Sequence, residues 1–105
     1  MVPDLSQISG LGAYVAKKDA VPSQDGQPVK NRTIYYRDDK AFLIENAHTI
    51  EVRCDAKLSE HLRSKYESVM ESRYFGRGGI EIVPAGQLTD DEIADLIRLS
   101  YNLST

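Results

Sequence analysis

The side chains best equipped for chemistry crowd into Arg73-Tyr74-Phe75-Gly76-Arg77-Gly78-Gly79, where two guanidinium groups and two aromatic rings share a run with three glycines. Glycines leave backbone N–H groups open, and such groups in a turn can form a concavity that accepts an anion. The run lacks the Lys-Ser/Thr ending of a P-loop and does not match the glycine spacing of a dinucleotide fingerprint. Two readings of it therefore stand. One is a phosphate or carboxylate contact; the other is a turn that re-aims the chain into the next strand.

Other reactive groups are sparse. Cys54 precedes a helix start, where the dipole can lower a thiol pKa, but strand alternation puts it in register with Ile50 and Val52. A buried, inert thiol is the preferred reading. The bases His48 and His61 belong to a turn and to a helix face turned away from Leu58 and Leu62, and no Cys-His or Ser-His signature links them to Cys54. Two histidines thirteen residues apart have no metal-ligand spacing. The carboxylates Asp90, Asp91, Glu92 and Asp95 open a helix, where negative charge complements the macrodipole. No catalytic residue, metal or cofactor is assigned.

Aromatic residues Tyr35, Tyr36, Phe42, Tyr66, Tyr74, Phe75 and Tyr101 could stack on bases, but a small domain without Trp needs such rings for core volume. Tyr35 and Tyr36 are neighbours in a strand and must point to opposite faces. One of the two therefore faces outward.

The elements that position these groups follow from periodicity. Residues 1–12 read as an irregular start with at most a short helical turn. Ala13–Lys18 is compatible with a strand, and 19–31, with Pro22, Gly26 and Pro28, reads as a long mobile loop or a wide hairpin connection. Arg32–Arg37 is β-branched and aromatic, Ala41–Glu45 is almost wholly apolar, and Thr49–Cys54 alternates. Three strands joined by short turns make an antiparallel meander. Asp55 is a plausible N-cap for a helix with Leu58, Leu62, Tyr66 and Val69 on one side. Ile80–Val83 resumes a strand that Pro84 closes. Thr89-Asp90-Asp91-Glu92 is a capping box, and Ile93, Leu96, Ile97, Ser100 and Tyr101 mark the buried side of a last helix. The expected architecture is an α+β domain: a meander plus one later strand, covered by two amphipathic helices.

Composition bounds the function. The 105 residues are 41% hydrophobic and 28% charged, with net charge −3, which fits one small domain. A single cysteine excludes an internal disulfide and fits a reducing compartment. No basic-then-apolar leader and no run of membrane-spanning length is present, so a cytoplasmic location and no membrane partner are expected. Net acidity disfavours strong nonspecific nucleic-acid binding. Yet residues 1–45 and 46–83 each carry six basic and six acidic side chains, while 84–105 carry one against four. The deficit belongs to the last helix alone.

Thr49–Asp55, Leu58–Leu62, Arg73–Ile80, Leu88–Ile93 and Leu96–Tyr101, taken in order, resemble the MmcQ/YjbR-like family. The shared features are a strand ending in Arg-Cys-Asp, a helix, a glycine-containing turn into a strand, and a closing helix with a Ser-Tyr pair. The likeness covers about residues 32–104. Ile80 stands where the family usually has Trp, and the usual opening helix is missing, which marks a divergent member. The resemblance implies a double-wing α+β fold, commonly labelled DNA-binding. The expected function is a noncatalytic binding domain with DNA as partner. Another protein or a second copy of the chain is the alternative, and an anion-binding or enzymatic role at the glycine turn is a further one. The candidate contacts are Arg73, Arg77, Gly76, Gly78 and Gly79 from the turn, with Arg53, Lys17 and Lys18; Lys30, Arg32 and Arg37 add to the strand cations.

Overall fold

The computed structural model describes residues 5–21 and 30–104. After a single 3-10 turn at Leu5–Gln7 come four strands, β1 (Val15–Val21), β2 (Lys30–Arg37), β3 (Lys40–Glu45) and β4 (Ile50–Arg53). Helix α1 (Ala56–Lys65), strands β5 (Val69–Ser72) and β6 (Gly76–Ile82), and helix α2 (Asp90–Leu103) follow. All six strands form one antiparallel sheet in the order β1-β2-β3-β4-β6-β5. The expected α+β class, an antiparallel sheet under two helices, is what forms.

One difference from the sequence reading is that β6 takes in Gly76–Gly79, which that reading places in a turn before Ile80. Strands β1 and β2 remain paired as far as Val21 opposite Lys30, in keeping with the wide hairpin that is one of the two readings of 19–31. The rest of that segment, 22–29, and the start of the chain, 1–4, lie outside the described residues. The other difference is an additional strand. The apolar spacing through Val69 suggests a helix to that point, but α1 ends at Lys65 and Tyr66 is already extended. Tyr66 and Val69 reach the same core from a turn and from β5. The β-branched Val69 pairs with Ile82 and gives β6 a neighbour on its outer side, which another helical turn would not do.

Register assigns side chains to faces. One row crosses the whole sheet as Lys17, Ile34, Ile44, Glu51, Glu81 and Met70. The rows on either side of it, Tyr35-Leu43-Val52-Ile80 and Glu45-Ile50-Ile82-Val69, face the helices. The β2–β3 ladder shifts so that Tyr35 opposes Leu43 and Tyr36 opposes Ala41, leaving Phe42 as the extra residue. That bulge lets the consecutive Phe42 and Leu43 both enter the helix-side core, where each is fully buried. Phe42 meets the Tyr101 ring edge-on at 5.1 Å.

Local chemistry sets the helix ends. The Asp55 carboxylate accepts from Leu58 N–H at the start of α1, and Thr89 with Glu92 forms the capping box of α2. At the other end of α2, which has no basic residue in its last turn, Arg37 of β2 donates to the Tyr101 carbonyl at 2.8 Å. A cation from the sheet thus complements the negative end of the helix dipole. Midway, Ser100 acts as a bridge: its hydroxyl donates to Phe42 C=O and accepts from Arg53 N–H at 2.7 Å. The Phe42 bulge interrupts the strand pattern, and a helix side chain supplies the missing partners.

Replacing Ser100 with Ala leaves a backbone donor and a backbone acceptor without partners in the core. Each costs about 1–3 kcal/mol, so the urea midpoint of Ser100→Ala should fall clearly with an unchanged m-value, measured by circular dichroism. A midpoint equal to wild type would contradict the bridging role.

Candidate functional site

The sheet face away from the helices has no helix over it, but the Arg73–Phe75 connection folds onto it, and its middle row Ile34, Ile44, Glu51 and Glu81 is buried. Glu51 projects from the middle of this face yet is only 1% exposed. One of its oxygens accepts from the Ser72 hydroxyl at 2.7 Å and from Tyr74 N–H at 2.9 Å, and the other accepts from Asn46 at 2.9 Å. Burial alone pushes this carboxyl up; the bonds from Asn46, Tyr74 and Ser72, with the charge of Arg73, outweigh that and hold it below the usual carboxylate range. Its cross-strand neighbour Glu81 accepts from Arg73 twice, at 3.0 and 2.9 Å, and from Thr49 at 2.7 Å. Two carboxylates directly opposite repel. Arg73 supplies the opposing charge while its own side chain stays 75% exposed, and its bonds to Glu81 raise its pKa further.

Of the two readings of the Arg73–Gly79 run, the turn into the next strand is seen at Arg73–Phe75, and its Tyr74 amide donates to an internal anion, Glu51. The glycines serve the backbone. Gly76 has φ +61°, a conformation that favours a residue without Cβ. A Cβ on Gly79 would lie 2.6 Å from the Val52 carbonyl and from Phe75 Cβ, so nothing larger fits between these strands and the turn. Gly78 C=O accepts from Cys54 N–H, and Gly79 C=O accepts from the buried Ser59 hydroxyl of α1.

The candidate cations are divided by the fold. Arg73 and Arg53 belong to the open face, whereas Arg77 lines a recess beside α1 with Ala56, Glu60, Arg63 and Glu71. Lys17 shares the open-face row, while Lys18, paired with Thr33, falls on the opposite side of β1. Arg37 is spent on the end of α2. What the open face gathers is a set of cations on rings. Lys17 Nζ lies 5.2 Å from the Tyr36 ring centre, the Arg32 guanidinium 5.4 Å from Tyr74, and the Arg53 guanidinium 4.7 Å from Phe75. Tyr74 and Phe75 meet edge-on at 5.0 Å. Phe75 and Tyr36 pack over the small apolar cluster Ile34, Ala41 and Ile44, while Tyr74 remains 43% exposed. Tyr36, and not Tyr35, is therefore the outward tyrosine. Arg53 also donates from Nε to Ala41 C=O at 2.7 Å, which fixes its plane. Arg32 Nε is buried with no acceptor among the described residues, and Asp19 stands opposite Arg32 in the β1–β2 register.

The remaining reactive groups do not converge. Cys54 is 4% exposed, and burial, with the Asp55 charge, pushes its thiol up to about 11. His48 and His61 are exposed. Among the described residues no group of three or more His, Cys, Asp or Glu could hold a metal ion, and no helix is long and apolar enough to cross a membrane. Glu92 is used in the capping box and Asp95 pairs with Arg98. The buried pair Glu51 and Glu81 was not singled out from sequence. Its only trace there is a pair of glutamates at the polar phase of two otherwise apolar strands.

Two measurements check this site. Because the Glu51 pKa is lower folded than unfolded, its contribution is present above the unfolded value and is lost as pH falls through the folded one. The urea midpoint of wild type should therefore drop more steeply on acidification below about pH 4.5 than that of Glu51→Gln, which starts lower at neutral pH. Parallel curves would contradict the buried carboxylate. Separately, a thiol reagent at mildly alkaline pH should label Cys54 roughly a hundredfold more slowly in the native protein than in urea, and equal rates would mean an accessible thiolate. In comparisons with known proteins, no family model, no curated protein and no solved structure matches the chain.

Proposed function

We propose that the chain is a small noncatalytic binding domain that engages nucleic acid, DNA in the first instance, on the sheet face away from the helices. The observation that carries this reading is the set of cations on aromatic rings there: Lys17 on Tyr36, Arg32 on Tyr74 and Arg53 on Phe75. Cations neutralise phosphates, and rings offer surfaces to bases.

Charge distribution supports it. The acidic excess lies in Asp90, Asp91, Glu92 and Asp95 of α2, which packs against β3 and β4 on the helix side. Two carboxylates of the open face, Glu51 and Glu81, are buried and hydrogen-bonded. A net charge of −3 is then compatible with a locally positive surface, and binding is expected to be weak, micromolar or poorer, and salt-sensitive. Membership of the MmcQ/YjbR-like family, with its DNA-binding label, is part of the same proposal, as is a cytoplasmic location. Both rest on the sequence features given above and on the single buried cysteine.

Fluorescence anisotropy with labelled duplex and single-stranded oligonucleotides across a salt series tests the reading. Binding should appear at low ionic strength, and Lys17→Ala with Arg32→Ala should lower the slope of log affinity against log salt by about two for duplex. Absence of binding to either probe at low salt would overturn it.

A further inference from the structure

We infer that the ligand of the open face is single-stranded nucleic acid, with unpaired bases stacking at Tyr74 and phosphates running past Lys17 and Arg32. This rests on the nucleic-acid reading above and narrows it to one class of ligand.

Shape is the first argument. Duplex sequence is read by an element that enters a groove, usually a helix or a two-stranded ribbon in the major groove. Here both helices are committed to the opposite face: α1 packs on β5 and β6, and α2 on β3 and β4. What remains on the other side is a sheet face without a helix, its middle covered by Tyr36 and Phe75 with cations on their rings. A sheet bearing aromatic side chains and flanking cations suits splayed bases, because every base has a face to stack and the backbone can follow the charges.

Position is the second argument. The cation and ring pairs extend from Lys17 on β1 to Arg53 on β4. Three inter-strand spacings amount to about 14 Å, enough for the two or three bases that such sheet platforms stack. Tyr74 is the ring within this span that is more than a third exposed. Its backbone is already fixed by the bond from its N–H to Glu51, and its ring by the edge contact with Phe75 and the guanidinium of Arg32. A ring held in place before binding loses little conformational freedom when a base lands on it. The buried Arg32 Nε, which has no acceptor among the described residues, adds a donor that a small shift of the side chain would present to a phosphate oxygen.

The test compares short labelled oligothymidylate and oligouridylate with a duplex of equal length, and uses inorganic polyphosphate as competitor. At least one single strand should bind roughly tenfold or more tightly than duplex, and polyphosphate should displace it poorly. Tyr74→Leu should weaken the single strand by roughly five- to 150-fold with the duplex affinity unchanged, and Tyr74→Phe, which keeps the ring, should stay within about twofold of wild type. Should the leucine variant misfold by circular dichroism, quenching of tyrosine fluorescence on binding by the wild type is the substitute readout, and unquenched binding counts against stacking. Equal or tighter duplex binding, or a Tyr74→Leu variant of wild-type affinity, overturns the single-strand inference and leaves the nucleic-acid reading standing. No binding of any oligonucleotide at low salt overturns both.

Discussion

A buried carboxylate constrains most of this molecule. Glu51 occupies the middle of a six-stranded sheet, on the face that has no helix over it. Taking a carboxylate out of water costs several kcal/mol unless hydrogen bonds replace the solvent. The three donors come from separate segments: Asn46 from the turn before β4, Ser72 from β5, and Tyr74 N–H from the connection to β6. Satisfying Glu51 therefore dictates where that connection goes. It must fold back over the sheet, and in doing so it sets Phe75 on Ile34, Ala41 and Ile44 and leaves Tyr74 facing outward beside it.

The other face follows a different logic, that of apolar volume. Ile50, Val52, Ile80 and Ile82 pack against Ile93, Ile97 and Tyr101, and polar groups there are few and paired. Ser100 is the main one, completing the hydrogen bonds around the Phe42 bulge. Committing both helices to this side leaves two exposed sheet edges. Strand β5 is only four residues long, and β1 carries Lys17 and Lys18. Short edges and edge lysines discourage pairing with other chains. Lys18 lies on the helix side of β1, whereas Lys17 lies on the open face.

Legibility from sequence tracked locality. Helix starts are readable because N-capping is a matter of three or four consecutive residues, as at Asp55 and Thr89. The buried positions of α2 and the alternation of Ile50, Val52 and Cys54 follow from simple periods. Strand β5 was not readable, since Tyr66 and Val69 continue a helical spacing and only pairing with β6 makes Val69 a strand residue. The same holds for the site. The Arg73–Gly79 run is visible in the sequence as unusual, either as an anion contact or as a turn into the next strand. That the Tyr74 amide is held by Glu51, that Arg73 is held by Glu81, and that Arg77 is turned toward α1 are long-range facts. No local window contains them.

The outward position of Tyr74, on which the proposed binding surface depends, thus derives from the charge beneath it. Amide hydrogen exchange resolved by NMR at Tyr74 tests that dependence most directly, comparing wild type with Glu51→Leu, which removes the acceptor at similar volume. The account predicts a protected Tyr74 amide in wild type at neutral pH and a loss of that protection in the variant, with the amides of α2 still protected. A Tyr74 amide that exchanges freely in wild type, or that is equally protected in both proteins, would contradict it.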